Sequence, residues 1–454
     1  MCVNIDFFLF LLYKICIPNP YNITRGDEMK ITKDVLNNGL RVLVAPRTDV
    51  EGVTIVLALR AGSRRETPEN TGIAHFLEHM FFRGGKRHPD QRSTVYAIER
   101  AGGEANAYTG HDEVAYTISV PARAIATAFD VLSDMLLNAR LRASDIRVER
   151  GAVLEELSQR NENYAGLAWE ECQRLLYGDT RLGNPVIGTA GTIGSFTHND
   201  FVSFRKTMYN AQDAVLAVCG KVTPDRVFQL AERYFSGLPR ESPGHHVPVE
   251  PAELWDDRKI SIVQSGGTQT HICLFAPAPS ASSPEHVVAE ITATVLGGGM
   301  SSRLFLNVRS KRGLAYSTYA SFNSGPDYGN ISIYAGTSSP KRVEEALAAI
   351  MNEVNELKSS AVSKEDLSCA KEYRAGETVR ALESSGVIAM ELASSELLLG
   401  RTRTISELVH ATNEVSSENV ISMADDVFRP GALRLAVVGP YRGTEERLRD
   451  ILES

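Results

Sequence analysis

The sequence predicts an α+β fold built from two duplicated domains, each a mostly antiparallel sheet packed with helices, joined by a linker. The length, a repeated strand–helix pattern and a segment rich in proline and glycine predict it. A chain of 454 residues exceeds what one ordinary core supports, so two or more domains are expected. The composition, with 43% hydrophobic and 23% charged residues, is typical of globular proteins.

Two segments share one design, which indicates a duplication. Residues 208–235 and 427–452 each combine a polar lead, an apolar strand ending in glycine, a turn and an amphipathic helix. The stretch from the lead to the glycine has the same length in both. Earlier in each half, an apolar strand (52–62 and 270–279) leads into a helix. Duplication is the economical interpretation, and two unrelated α/β domains with similar endings are the alternative.

The predicted domains are residues 30–235 and 255–454, and the linker 236–254 is assigned from its proline and glycine. Residues 1–28 hold an apolar run too short to span a bilayer, without the basic region and cleavage site of a good signal peptide. We predict an upstream extension, with a weak membrane or export signal as the alternative. Met29 begins a stretch that enters the first predicted strand.

Charge and cysteine content exclude some classes of function. The net charge is -8 and the basic residues are scattered, so we expect no nucleic-acid partner. The six cysteines are far apart and form no C-x-x-C pair, which argues against a cysteine zinc site and for a reduced compartment. A cytoplasmic location is predicted, with export directed by residues 1–28 as the alternative. No stable membrane insertion is expected.

The segment "GIAHFLEHMFF" (71–81) carries the pattern H-x-x-E-H at His75, Glu78 and His79. Positions i and i+4 of a helix share a face, with Cβ atoms about 6 Å apart, so both histidines can reach one ion. A catalytic zinc ion takes three protein ligands and leaves a fourth position for water. The pattern therefore favours a metal site with one ligand still missing, over two unrelated histidines on an amphipathic helix.

The predicted helix 144–163 carries candidates for the missing ligand. Its apolar stripe consists of Ile146, Val153 and Leu157. Glu149 and Glu156 are seven residues apart and fall on nearly the same face, whereas Glu155 is turned away by about 100°. Acids beside a buried stripe are unusual unless they are paired or bound to a cation. A solvated helix edge is the alternative.

The chain resembles a known family in these and later motifs. "HFLEHMFFRG", "GGEANAYT" (102–109), "VERGAVLEE" (148–156) and "GGGMSSRLFLNVRSKRGLAYSTYAS" (297–321) are similar to motifs of the pitrilysin family of zinc peptidases. This family includes insulin-degrading enzyme, the mitochondrial processing peptidase and bacterial relatives. The resemblance covers the chain from about residue 30 onward, and its several motifs occur in the expected order.

The resemblance implies one zinc ion per chain, held by His75, His79 and Glu156. Glu78 is then the general base, and Glu149 matches a second acid that supports the site from the outer shell. The separation of His79 and Glu156 agrees with the family pattern, which favours Glu156 over Glu155.

Substrate contacts are implied by the same resemblance. In the family, an edge strand receives the peptide as an added strand, which points to Asn106 and Ala107. Arg309 and Tyr316 match a pair that the second domain offers to the substrate carbonyl, where positive charge and a hydroxyl stabilise an oxyanion. Taken alone, these residues are typical of an ordinary strand and a surface arginine.

The predicted function is a zinc-dependent endopeptidase that hydrolyses short or unfolded peptides, in processing or degradation. The zinc residues and the arginine–tyrosine pair occur in one chain, which argues for an active enzyme. The main alternative is a non-catalytic or partner-dependent subunit of a heterodimeric peptidase complex. A metal-dependent hydrolase of non-peptide substrates is a third, weakly motivated one. The resemblance implies a homodimer, or a heterodimer with a paralogue, that encloses a chamber.

Overall fold

The computed structural model describes residues 30–240, 259–402 and 405–453. The predicted extension 1–28 and residues 241–254 of the predicted linker lie outside the described residues. Residues 236–240 continue from the first half, where Leu238 joins the hydrophobic core.

Strands of the first half run over β1 Thr32–Val35, β2 Arg41–Pro46, β3 Gly52–Leu59, β4 Glu104–Thr109, β5 Val114–Pro121 and β6 Ala214–Gly220. Those of the second half are β7 Ile260–Gln264, β8 Thr270–Pro277, β9 Ser317–Ser324, β10 Gly329–Thr337 and β11 Arg434–Gly439. Within the described ranges they form two sheets, ordered β1-β2-β6-β3-β5-β4 and β7-β11-β8-β10-β9. Neighbouring strands are antiparallel except β2 with β6 and β7 with β11.

Helices of the first half are α1 Ile73–Phe81, α2 Gln91–Arg100, α3 Ile125–Leu137, α4 Ala143–Glu162, α5 Tyr164–Tyr177, α6 Ala190–Ser195, α7 His198–Met208 and α8 Pro224–Phe235. Those of the second half are α9 His286–Gly297, α10 Val343–Ser359, α11 Lys364–Ala381, α12 Ser385–Leu399, α13 Ile405–Asn413, α14 Ser417–Val427 and α15 Glu445–Glu453. A single π-helical turn, Phe305–Ser310, occupies the place of α2 in the second half.

The two halves repeat one topology, which confirms the predicted duplication. The order β7-β11-β8-β10-β9 reproduces β2-β6-β3-β5-β4, including the parallel pair. Both repeated segments fold as predicted, into strand β6 with helix α8 and strand β11 with helix α15. In each half, five described helices lie between the hairpin and the last strand. The fold is therefore α+β, with two mostly antiparallel sheets.

Each sheet is covered on one face by helices of its own half and on the other by a helix of the opposite half. Alternate residues of β3 show this, since Ile55 faces the first-half core and Val56 faces α12. Helix α12 packs on β3 and β6, and helix α5 packs reciprocally on β8 and β11. Central strands that are buried on both faces carry nearly continuous apolar runs.

A buried ion-pair cluster also joins the halves. Arg64 is 6% exposed, and its guanidinium pairs with Asp112 at 2.5 Å and with Asp327 of the β9–β10 turn at 2.8 Å. The Tyr328 hydroxyl donates to Asp112 at 2.9 Å. The turn of the second half is therefore fixed against the segment that precedes α1. None of the described helices combines the length and the apolar character needed to cross a membrane.

Candidate metal centre

Helix α1 carries the H-x-x-E-H pattern, and its strongly apolar face determines how the helix is oriented. Phe76, Leu77 and Met80 are fully buried in the first-half core, which fixes the rotation of the helix. His75 and His79 then lie on a neighbouring face, one turn apart, with their ring centroids separated by 4.7 Å. The prediction of one shared helix face for the two histidines is confirmed.

Helix α4 brings a carboxylate to this histidine pair. One oxygen of Glu156 lies 3.5 Å from His75 Nε2 and the other lies 3.3 Å from His79 Nε2. One donor atom each from His75, His79 and Glu156 lies within 4.8 Å of the others. Glu155 is exposed and accepts a hydrogen bond from Gln159 Nε2 at 3.4 Å, and it is not part of this group.

Glu149 occupies the position expected of a supporting acid. It accepts a hydrogen bond from His79 Nδ1 at 2.9 Å, and its second oxygen is held by Arg83. Arg83 lies in the turn that follows α1, two residues beyond its last residue Phe81. This contact fixes the His79 ring with Nε2 facing Glu156, the arrangement by which an outer carboxylate orients a metal-binding histidine.

Charges within the cluster shift its titrations strongly. Burial alone would lower the pKa of His79, but hydrogen bonds with Glu149 and Glu156 raise that pKa to about 10. Burial alone would raise the pKa of Glu156, but hydrogen bonds with both histidines lower it well below its usual range. A zinc ion needs neutral histidine ligands, so its binding would release the proton that His79 holds.

The donor set fits a zinc ion. Two imidazoles and one carboxylate are a common ligand set for catalytic zinc, which leaves a fourth position open. The buried Nδ1 atom of His75 has no hydrogen-bond partner among the described residues, and its Nε2 atom faces Glu156. Acids this close to two histidines, in a largely buried setting, are the environment in which a cation is expected.

Glu78 lies beside the cluster, and a hydrogen bond from a residue of the sheet holds its carboxylate. It is 8% exposed, and its carboxylate accepts a hydrogen bond of 2.6 Å from the Thr109 hydroxyl. Thr109 is the last residue of β4. The motif glutamate is thus joined to the strand predicted to bind peptide, and its charge also acts on His79.

Strand β4 is the outermost described strand of its sheet and has β5 as its neighbour there. Asn106 and Ala107 are both partly exposed on it. The Ala107 N–H donates to the Asn106 side-chain oxygen at 2.9 Å. Among the described residues, β4 therefore has the predicted edge position.

Arg309 and Tyr316 lie together in the second half. The guanidinium carbon of Arg309 lies 5.4 Å from the Tyr316 ring centroid and 4.6 Å from that of Phe305. Tyr316 is 76% exposed. Among the described residues, neither forms a hydrogen bond, ion pair or ring contact with the histidine cluster. Arg309 and Tyr316, the pair predicted from the resemblance, are thus in contact with each other. No described contact joins them to the histidine cluster.

Sequence reasoning missed the roles of Arg83 and Thr109. Arg83 lies in the turn after α1, so helical spacing from His79 does not predict its contact with Glu149. Thr109 ends the "NAYT" stretch, but a strand position does not say which helix side chain it will meet. Its contact with Glu78 depends on how α1 packs against β4.

Fold and site together define a duplicated α+β protein with a histidine–carboxylate centre between two helices of its first half. Family models agree with both parts of the chain. The model described as insulinase, peptidase family M16, matches residues 41–190. The model described as peptidase M16 inactive domain matches residues 195–373. The chain belongs to peptidase family M16, the pitrilysin family.

Relatives and solved structures extend this result. An uncharacterized zinc protease of Streptomyces coelicolor is 29% identical, with 92% of each chain covered. Another, of Mycobacterium leprae, is 30% identical over 90% of this chain and 92% of its own. A peptidase M16 inactive domain from Pseudomonas fluorescens superimposes with a TM-score of 0.83 at 19% identity, covering 92% of this chain and all of that one. A protease from Helicobacter pylori gives a TM-score of 0.82 at 22% identity, covering 90% and 99%. These two structures show the shared fold.

Proposed function

We propose that this protein is a zinc-dependent endopeptidase that hydrolyses short or unfolded peptides. The observation that carries the proposal is the convergence of His75, His79 and Glu156 donor atoms within 4.8 Å, with Glu78 beside them. Relatives that cover nearly the whole chain are named zinc proteases, which supports the metal and the reaction class. One zinc ion per chain is proposed.

The proposed roles follow from the donors and their neighbours. Bound zinc supplies a Lewis acid that lowers the pKa of a water molecule to about 7. Glu78 lies outside the proposed ligand set, so its carboxylate would accept a proton from that water and later pass it to the departing amine. Thr109 holds that carboxylate in one orientation through the 2.6 Å hydrogen bond. Glu149 and Arg83 hold the His79 ring.

Substrate binding is proposed at the free edge of β4. An extended peptide would add to this strand by main-chain hydrogen bonds at Asn106 and Ala107, largely independently of its sequence. Chains that are short or unfolded can present such a segment, whereas a folded protein cannot. Arg309 and Tyr316 would then stabilise the negative charge that develops on the substrate carbonyl oxygen.

The position of Arg309 and Tyr316 also favours a second candidate, a subunit that depends on a partner. The described contacts of this pair remain within the second half. A dimer that encloses a chamber, from two copies or from one copy and a paralogue, would place a second-half surface opposite each metal centre. We propose a homodimer as the simpler form, since both sets of residues occur in this chain.

The test is cleavage of a quenched fluorescent unfolded peptide by the purified chain, with metal analysis in parallel. We expect about one zinc ion per chain and activity that a chelator abolishes and zinc restores. Glu78→Gln should keep the metal and lower kcat by about 10²–10⁴-fold, the range for loss of a general base.

Glu155→Gln is the matched control, because this exposed glutamate neighbours a proposed ligand but faces away from the cluster. It should leave zinc content and kcat unchanged. Bound zinc without cleavage of any peptide, in the chain alone, would favour the partner-dependent subunit. A chain that binds no zinc would overturn the proposal.

A further inference from the structure

The first turn of α1 lacks a cap of its own. Gly72 is the N-cap residue, with φ of +95° and no side chain to accept the first helical N–H groups. A Cβ atom at this position would lie 2.5 Å from the carbonyl oxygen of Ile187, so only glycine fits. The usual serine, threonine or aspartate cap is therefore sterically excluded from the helix that bears His75 and His79.

Glu66 supplies the missing acceptor from six residues upstream. It is 2% exposed, and its two carboxylate oxygens accept the N–H groups of Gly72 at 2.9 Å and Ala74 at 2.8 Å. Ala74 is the second residue of the helix, from which an N-cap side chain would normally accept a hydrogen bond. Burial raises the pKa of Glu66 to about 8, although both N–H groups lower it, so the cap rests on the two hydrogen bonds.

The two histidines of α1 are held in different ways. The His79 ring is fixed through Nδ1 by Glu149, which Arg83 holds in turn. The His75 Nδ1 atom has no such partner among the described residues. His75 directly follows Ala74, so the placement of its ring depends on the backbone of the first helical turn. Helix ends fray unless their N–H groups are satisfied.

The segment bearing Glu66 is itself well anchored. The Glu66 N–H donates to the Ser63 carbonyl at 3.0 Å, and the Arg64 N–H donates to the His111 carbonyl at 2.9 Å. The Arg64 side chain lies between Asp112 and Asp327, which ties the segment to the second half. Glu66 therefore caps α1 from a fixed point.

We propose that Glu66 is a positioning residue of the metal centre: its carboxylate caps the first turn of α1 and thereby holds His75 opposite Glu156. This inference rests on the proposed zinc function, because its purpose is to preorganise a ligand. Two measurements separate the proposals, zinc affinity and amide hydrogen exchange over residues 72–76 in the metal-free protein.

Glu66→Gln is the principal variant, since it keeps the size but sets an N–H₂ group against one of the two backbone donors. We expect its zinc dissociation constant, measured by chelator competition, to rise by about 10–100-fold, as for other outer-shell substitutions. Exchange over residues 72–76 should be about fivefold faster or more, which corresponds to the loss of a helix cap. Saturating zinc should restore much of kcat with little change in KM.

Asp134→Asn is the matched control, because this fully buried carboxylate also accepts backbone N–H groups, from Lys86, Arg87 and His88. It should lower the melting temperature without accelerating exchange over residues 72–76. Glu66→Asp, which keeps the carboxyl group on a shorter side chain, serves if the glutamine variant does not fold, and it should show an intermediate affinity.

Unchanged zinc affinity and unchanged exchange in a folded Glu66 variant would overturn the inference and leave Glu66 a purely structural residue. If the unaltered protein binds no zinc, the proposed function fails. In that case faster exchange in the metal-free variant would show the cap alone, without the role at a metal centre, and the inference would fall with the function.

Discussion

The same pair of crossing helices occurs in both halves. The buried charged side chains at the two crossings are compensated by different partners. In the first half, α1 meets α4 through His75, His79, Glu149 and Glu156, with Arg83 beside them. In the second half, the equivalent helices α9 and α11 meet through Arg374, which pairs with Glu290 of α9 and with Glu377 of α11. No group of three potential ligands is found there among the described residues.

The difference between the crossings is one of charge compensation. Arg374 is 4% exposed and stands between two carboxylates, so the second crossing carries its own cation. In the first crossing, Arg83 reaches Glu149 but has no described contact with Glu156, which faces only histidines. A buried acid needs a cation or a hydrogen-bonded partner. The first crossing is thus compensated by a histidine, which can give up its proton to a metal ion, and the second by an arginine, which stays charged.

The largest expected effect is a loss of stability when the arginine of the second crossing, Arg374, is removed. Arg374→Met removes the guanidinium that pairs with Glu290 and Glu377, and loss of one partner of a buried pair costs about 3–5 kcal/mol of unfolding free energy. Zinc affinity should not change, because the first crossing is untouched. Chemical denaturation and chelator competition measure the two effects.

Adding Glu290→Gln to Arg374→Met should recover part of the lost stability, since it removes the charge of one of the two carboxylates that Arg374 pairs with. A large loss of zinc affinity in the single variant would contradict the view that the two crossings are independent.

Removing the proposed ligand carboxylate tests the first crossing. Glu156→Gln should raise the zinc dissociation constant by more than about 100-fold, beyond the range for outer-shell substitutions. Added zinc should raise the melting temperature of the unaltered protein but not of this variant, because ligand binding stabilises only the folded state that holds the site. Glu155→Gln, its sequence neighbour, should behave as the unaltered protein does. Equal losses in both variants would refute the assignment of Glu156.

The two crossings also differ in their contact with the neighbouring hairpin, and we expect a smaller effect, on kcat, from this difference. In the second half, the end of α9 packs directly on β9, where a Cβ atom on Gly297 would lie 2.1 Å from Ala320 N. In the first half, Glu78 and Thr109 are joined by a hydrogen bond. Thr109→Val should lower kcat by about tenfold or more, as expected for loss of a hydrogen bond to a charged group, with zinc content unchanged. Thr109→Ser, which keeps the hydroxyl, is the control, and equal kcat in both variants would exclude the role.

Much of the site was predictable because its spacing is local. The i, i+4 separation of His75 and His79 sets them on one face of any helix, and the seven-residue separation of Glu149 and Glu156 does the same on α4. The edge position of β4 also followed from its alternating pattern and from the resemblance. Local spacing does not predict that α4 lies against α1. The packing of Ile146 and Val153 into the first-half core decides this contact.

The sequence by itself determined the duplicated strand–helix order, the paired histidines and the linker composition, because each is encoded in periodicity over a few residues. Only the tertiary structure decided that α12 covers the first sheet and α5 the second, since an apolar helix face does not specify which apolar sheet it covers. The contacts of Glu66 with Gly72 and Ala74, and of Thr109 with Glu78, were likewise decided by packing. They join elements whose relative position is set by the whole core rather than by neighbouring residues.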